Sequence, residues 1–230
     1  GIEVCHDAWV PMTPGTRLVL AGANTIFNPS ASTHFAGKKQ VRHSLIENIS
    51  LKDQCGYVYA SAGPSKSTQD TVFSGDSFIA ELGNITAESE ILQRDNTVVM
   101  ADIDYEKIQL ERMKEQNFGV STDCFVDRKS YKIIRLEKLT YISKENQLLH
   151  KYSKEPFISS TAEKADAFCR EIFSIQSVAL AERLSRAKAE KAIVGVSGGS
   201  DSTLALLVAA QANILLGRPS NHVVAITMPG

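Results

Sequence analysis

The sequence predicts an α/β fold in two pieces, on three observations. Strand-like and helix-like segments alternate from the N-terminus to about Val126. From Lys191 to Met228 a buried strand, a Gly/Ser turn, an apolar helix and a second strand come in the order of a βαβ unit. Of the 230 residues, 43% are hydrophobic and 22% charged, which supplies a sizeable core and argues against disorder.

Ile2-Glu3-Val4 reads as a strand already under way. Thr25 to Asn28 is a short apolar strand that Pro29-Ser30-Ala31-Ser32 should stop. Lys38 to Cys55 carries Val41, Leu45, Ile49 and Leu51 at helical spacing with charges between them, an amphipathic helix. Gly56 to Ala62 comes next as a strand, and Gly63 to Gly75 has the composition of an exposed loop. Asp76 to Leu82 and Ile85 to Ile91, split by Gly83-Asn84, form a hairpin. Thr97 to Ile103 reads as another strand, and Asp104 as the cap of a charged helix to about Gln116. From Asp127 to Ser160 no period is sustained, which is the pattern of a linker. Ala162 to Lys188 is a long helix with Phe168, Ile172, Ile175, Val178, Leu180 and Leu184 apolar. The expected division is a first domain over 1–127, a linker over 128–161 and a second domain over 162–230. Both ends read as cut, because the chain starts at Gly1 inside a strand and a strand near His222 feeds nothing further. An internal piece of a longer protein is expected.

Lys plus Arg total 25 against 26 for Asp plus Glu, a formal charge of −1, so no nucleic-acid partner is expected. The apolar stretches, such as Leu204 to Ala210, fall well short of the roughly 18 to 20 residues of a membrane span. Cys5, Cys55, Cys124 and Cys169 lie far apart with no C-x-x-C pair, and read as free thiols of a reducing compartment. The expectation is a soluble, cytoplasmic chain acting on small molecules.

The sharpest chemical signal is Gly195-Val196-Ser197-Gly198-Gly199-Ser200-Asp201-Ser202-Thr203, between a strand and a helix. Paired glycines let the backbone turn and approach a ligand without Cβ interference. The helix start offers free N–H groups and a positive dipole end to a phosphate, and Ser197, Ser200 and Ser202 add hydroxyls. Asp201 repels phosphate directly, so its role in such a loop is to hold Mg²⁺. As turn chemistry alone, the same residues also suit a plain helix cap. The order fits neither a Walker loop nor a spaced G-x-G-x-x-G. It resembles the S-G-G-x-D-S loop of the ATP pyrophosphatase (PP-loop) family, which implies ATP binding by Gly195 through Ser202 and AMP transfer to a carbonyl oxygen.

At the other end, Cys5 closes a short strand in Ile2-Glu3-Val4-Cys5-His6-Asp7-Ala8-Trp9. A lone cysteine there is usually a small buried hydrophobe. The string nonetheless resembles the nucleophile segment of the nitrilase superfamily, where a thiolate attacks an amide carbonyl and the thioester is hydrolysed. Asn28-Pro29-Ser30-Ala31-Ser32, Gly37-Lys38, Tyr57-Val58-Tyr59-Ala60 and Gly75-Asp76-Ser77 continue the agreement in order. So do Ile175-Gln176, Leu204-Ala205-Leu206-Leu207, Leu216-Gly217-Arg218-Pro219 and Thr227-Met228-Pro229-Gly230. With a nitrilase-type cysteine about 190 residues ahead of a PP-loop, nearly the whole chain resembles the glutamine-dependent NAD⁺ synthetase family.

That resemblance implies the end of a nitrilase-like αββα sandwich, then the first βαβ unit of a doubly wound PP-loop domain (adenine nucleotide alpha hydrolase-like). It implies glutamine hydrolysis at Cys5, and ammonia passed to deamido-NAD⁺ activated by ATP and Mg²⁺. It implies a glutamine pocket lined by Trp9, Ser32 and Lys38, Asp201 as the Mg²⁺ ligand, and a homo-oligomer for the full-length enzyme. Lys38 stands where the family has Arg, and His6 where it has Glu; a Lys is a point charge without the bidentate fork. The family's Glu and Lys triad members precede the cysteine, and only four residues precede Cys5. The activity is therefore expected of the parent enzyme and not of this piece. His34, His43, His150 and His222 have no metal spacing and receive no role. A stand-alone nitrilase-type amidohydrolase would carry no PP-loop, and a PP-loop tRNA-modifying enzyme should show a basic or zinc-binding module. In a nitrilase-like half, the Ile2 to Cys5 segment should pair with Thr25 to Asn28.

Overall fold

The computed structural model describes residues 1–66, 70–127, 130–134, 148–150 and 161–227. The chain divides into two compact units, Gly1–Tyr152 and Ser153–Gly230. Most of the linker expected over 128–161 lies outside the described residues, as do Met228, Pro229 and Gly230. The architecture is mixed α/β: a four-stranded sheet, then a smaller parallel sheet-and-helix unit.

In the first unit, Ile2 pairs in parallel with Phe27, the pairing expected of this segment. Helix α1 (Pro14–Leu20) starts on a proline, behind Thr13, whose Oγ1 accepts the Thr16 N–H at 2.9 Å. Strand β1 (Thr25–Ser30), helix α2 (Lys38–Lys52) and strand β2 (Gly56–Ser61) form a parallel β–α–β crossover. Strands β3 (Phe78–Glu81) and β4 (Asn84–Glu88) add in antiparallel fashion, giving the order β1-β2-β3-β4. The expected hairpin closes through Leu82 and Gly83, whose φ values of 47° and 88° are those of a primed turn. β1 continues through Pro29 and Ser30, past the expected stop; it ends the strand order, where a missing N–H costs little.

The strand expected at Thr97 to Ile103 is not formed. Val98 and Met100 are 82% and 69% exposed, and the run finds no partner edge among the described residues. A β-prone run becomes a strand only where a pleated surface receives it. The next helix forms as expected: Asp104 Oδ1 accepts the Lys107 N–H at 2.9 Å and starts α3 (Tyr105–Lys114), with α4 (Gln116–Phe125) after it. Arg112 of α3 donates to Gln54 O, Asn24 Oδ1 and Ala23 O at 2.9–3.0 Å, tying α3 to the loops that enter β1 and β2.

The buried face of α2 differs from the one expected. Val41 and Leu51 are 54% and 58% exposed, while Arg42, His43, Ile46, Ile49 and Ser50 face inward. Arg42 and His43 are turned in by a buried carboxylate, Asp76, ahead of β3. Around them Ile26, Ile46, Ile49, Tyr57, Tyr59 and Phe78 form the core.

The second unit holds α5 (Ala162–Arg186), β5 (Ala192–Val196), α6 (Ser200–Leu215) and β6 (Val223–Thr227). β5 and β6 are parallel, from Ala192↔Val223 to Val196↔Thr227, which is the expected βαβ unit. α6 begins at Ser200, ahead of the expected start at Thr203. Phe168, Ile172, Ile175 and Val178 of α5 stay 39–60% exposed, so the described residues do not cover the whole apolar stripe. Among the described residues no helix is long and apolar enough to cross a membrane.

Candidate functional site

Each unit carries one of the two sequence signals. In the first, Glu3 N donates to Phe27 O at 3.1 Å, and Phe27 N to Gly1 O at 2.8 Å, so the N-terminal segment lies along β1. The chain then turns sharply. Val4 is extended, and Cys5 adopts φ 50° at the head of a 3-10 turn, Cys5–Trp9. Asp7 closes the turn, its Oδ2 accepting the Val4 N–H at 2.8 Å. A left-handed residue with a Cβ costs about 1–2 kcal/mol, so something must hold Cys5 there. The side chain of Asn28 on β1 does so: Oδ1 accepts the Cys5 N–H at 3.0 Å, and Nδ2 donates to the Cys5 carbonyl at 3.4 Å.

Lys38 opens α2 beside this turn. Its Nζ donates to Thr33 O at 2.6 Å and lies 6.0 Å from the Trp9 ring centre and 5.2 Å from that of Phe35. Burial lowers the Lys38 ammonium below its ordinary range, Arg42 adds to this, and the nearby Cys5 opposes it. Ser32 is buried. The Tyr59 hydroxyl is buried without a hydrogen-bond partner among the described residues, and burial raises it above its ordinary range. Trp9 and Cys5 thus lie near Lys38, while Ser32 sits two residues beyond the end of β1. His6 is exposed.

Behind Lys38 sits a buried ionic cluster. Arg42 donates through Nη1 to Asp76 Oδ2 and to Ser74 Oγ, the latter at 3.3 Å, and His43 Nε2 lies 3.1 Å from Asp76 Oδ1. Burial alone raises the Asp76 carboxyl, but His43 and Arg42 outweigh it and hold it below the usual carboxylate range. His43, given no role from the sequence, is a partner in this cluster.

The four cysteines are not equivalent. Cys5 is half-buried, Cys124 and Cys169 are exposed, and Cys55 is buried. Burial first, and Asp53 after it, push the Cys55 thiol up to about 12. In native full-length protein at pH 8, iodoacetamide should leave Cys55 unmodified and label it only after denaturation. Mass spectrometry of the Cys55 peptide checks this, and native labelling would mean that the β2 core opens readily.

In the second unit, Gly198 turns with φ 88°, and Gly199 precedes α6 in an extended conformation. Ser202 and Thr203 hydroxyls donate to Gly199 O at 3.0 and 2.9 Å, and the Ser197 and Ser202 hydroxyls lie 3.3 Å apart. The loop is therefore braced from within, while Ser197 to Asp201 remain exposed to solvent. A Cβ added at Gly195 or Gly198 would meet nothing within 4 Å, so an approaching phosphate finds open backbone. Asp201 is acidic in the first turn of α6. Among the described residues no group of three His, Cys, Asp or Glu side chains could hold a metal. A lone exposed carboxylate still suits Mg²⁺ that takes its other ligands from substrate phosphates and water. The donor set fits ATP with Mg²⁺.

The family model described as NAD synthase matches residues 173–230. The glutamine-dependent NAD(+) synthetase of Mycobacterium leprae is 34% identical over 100% of this chain and 34% of its own length. This chain belongs to the glutamine-dependent NAD⁺ synthetase family. The Mycobacterium tuberculosis synthetase is 33% identical over the same shares, 100% and 34%. A solved structure of the Acinetobacter baumannii synthetase, in complex with ADP, superposes with a TM-score of 0.41 at 20% identity, covering 100% of this chain and 33% of that one. The chain thus spans about a third of the length of the curated family members it matches. The sequence singles out Cys5, Trp9, Ser32 and Lys38 but not Asn28, which the structure bonds to Cys5, or Arg42, which it pairs with Asp76. A polar Asn inside an apolar strand, and an Arg one helical turn after Lys38, were the available signals.

Proposed function

We propose that this chain carries the glutaminase cysteine and the ATP loop of an enzyme that makes NAD⁺ from deamido-NAD⁺, glutamine and ATP. The observation that carries the reading is the pairing of two features in one family member. One is a cysteine held in a left-handed turn beside Lys38 and Trp9. The other is an exposed Ser-Gly-Gly-Ser-Asp-Ser loop between a parallel strand and a helix.

In this reading the Cys5 sulfur attacks the carboxamide carbon of glutamine, ammonia leaves, and water hydrolyses the thioester to glutamate. Trp9 and Ser32 line the glutamine pocket, and the Lys38 ammonium supplies the charge for a substrate carboxylate. In the other unit, Gly195 to Ser202 bind the ATP phosphates through backbone and hydroxyl groups. A bare carboxylate is a poor electrophile; transfer of AMP to the nicotinate carboxylate gives ammonia a good leaving group to displace. Asp201 would hold Mg²⁺, which when bound would supply positive charge against the pyrophosphate leaving group.

The test is Asp201→Asn in the full-length protein, with NAD⁺ formation measured from glutamine and, separately, from ammonium. Both rates should fall together by about 10²-fold, because both reactions need the ATP-activated carboxylate. If only the glutamine reaction slowed, the ATP-loop assignment would be wrong.

A further inference from the structure

We infer that Asn28 is a positioning residue for Cys5, gripping both of its peptide groups so that the cysteine stays in the left-handed turn; the inference rests on the glutaminase reading above. Cys5 has φ 50°, a conformation that residues with a Cβ hold only when their surroundings over-determine it. The grip comes from one planar carboxamide. Its Oδ1 takes the Cys5 N–H at 3.0 Å, while its Nδ2 reaches the Cys5 carbonyl at 3.4 Å. A carboxamide presents an acceptor and a donor side by side, which neither a hydroxyl nor a carboxylate can do.

The carboxamide is itself held. Asn28 is 1% exposed. Ser30 Oγ donates to its Oδ1 at 2.9 Å, and its Nδ2 donates to the Tyr57 hydroxyl at 3.0 Å. The Tyr57 hydroxyl donates to Glu3 Oε1 at 2.5 Å, and Glu3 Oε2 accepts the Gly15 N–H at 2.7 Å. Because the Tyr57 hydroxyl donates to a carboxylate, it must accept from Asn28, which fixes which end of the amide faces the Cys5 N–H. Glycine is needed at the far end, since a Cβ on Gly15 would come 2.7 Å from Glu3 Oε2. Glu3 lies two residues before Cys5, so the network holds the chain on both sides of the turn. A nucleophile displaced by about 1 Å can lose on the order of 10²-fold in rate, which is the scale at which such a clamp matters.

The experiment uses the full-length protein with Asn28→Leu, which removes both bonds at similar size, and Asn28→Asp, which keeps only the acceptor. The kcat for glutamine hydrolysis should fall about 10²-fold in Asn28→Leu and less in Asn28→Asp, with KM for glutamine within about twofold. The rate constant for alkylation of Cys5 by iodoacetamide should fall about tenfold, while that of Cys124 in the same molecules stays unchanged. A merely structural loss would also expose the buried Cys55, so Cys55 must stay unlabelled over the same time course. NAD⁺ formation from ammonium should persist. Wild-type kcat and Cys5 alkylation in Asn28→Leu, or a loss confined to KM, would overturn the inference. Cys5→Ala is the control. If it retains glutaminase activity, the glutaminase reading has failed. If it is inactive while Asn28→Leu is fully active, only the positioning claim fails. Should Asn28→Leu not fold, Asn28→Asp removes the bond to the Cys5 carbonyl while keeping the acceptor for its N–H, and an unchanged Cys5 alkylation rate there overturns the claim equally.

Discussion

Cys5→Ala in the full-length protein should abolish NAD⁺ formation from glutamine while formation from added ammonium continues. The substitution removes the one atom able to form the thioester, and loss of a hydrolase nucleophile costs on the order of 10³-fold or more. It leaves the backbone clamp intact, because Asn28 holds the N–H and carbonyl of residue 5 and not its side chain. The ATP loop belongs to the other compact unit, so the ammonium reaction has no reason to change. The measurement is initial NAD⁺ production with each nitrogen donor at saturating ATP. Parallel loss of both reactions would mean that Cys5 serves the fold, and full retention of the glutamine reaction would remove it from catalysis.

Asp76→Ala is expected to cost about 3–5 kcal/mol, the usual effect of breaking a buried ion pair from one side. Arg42 and Asp76 have fully buried side chains, and Arg42 Nε and Nη2 have no partner among the described residues. Without Asp76 the guanidinium is left as an unpaired buried cation. Asp76→Asn should cost less, because an amide oxygen still accepts. Amide hydrogen exchange in α2 and β3 of the intact protein reads the effect, which corresponds to opening about 10²- to 10⁴-fold more often. Unchanged exchange would show that the cluster contributes nothing net. The sign with pH comes from the lowered Asp76 carboxyl. The stabilisation is fully present above the unfolded carboxylate value of about 3.9, and disappears as pH falls from there through the lower folded value. The acid-side loss of protection in α2 should be flatter in Asp76→Asn than in wild type.

Local rules made several elements legible. Asp104 before a charged helix, Gly83 in a two-residue turn and the β–loop–α order at Ser197 each depend on neighbours within a few residues. The same rules misread α2. Val41 and Leu51 were expected inside by spacing, yet Arg42 and His43 are inside, because the decisive partner, Asp76, lies more than thirty residues on. Thr97 to Ile103 failed for a related reason, since its β-prone composition has no edge to join among the described residues.

By itself, the sequence determined the two-unit α/β plan, the order of motifs that marks the family, and the residues Cys5, Trp9, Ser32, Lys38 and Gly195 through Ser202 as candidates. These are properties of types, spacings and order, which the linear chain carries in full. The tertiary structure alone decided that Asn28 grips Cys5, that Tyr57 and Glu3 hold Asn28, and that Arg42 and Asp76 pair behind Lys38. The Asn28–Cys5 and Arg42–Asp76 contacts span 23 and 34 positions. They depend on strand register, and a one-residue slip of β1 would turn Asn28 to the other face of the sheet. Register is set by pairing with β2 and by core packing, which no local pattern around Asn28 encodes.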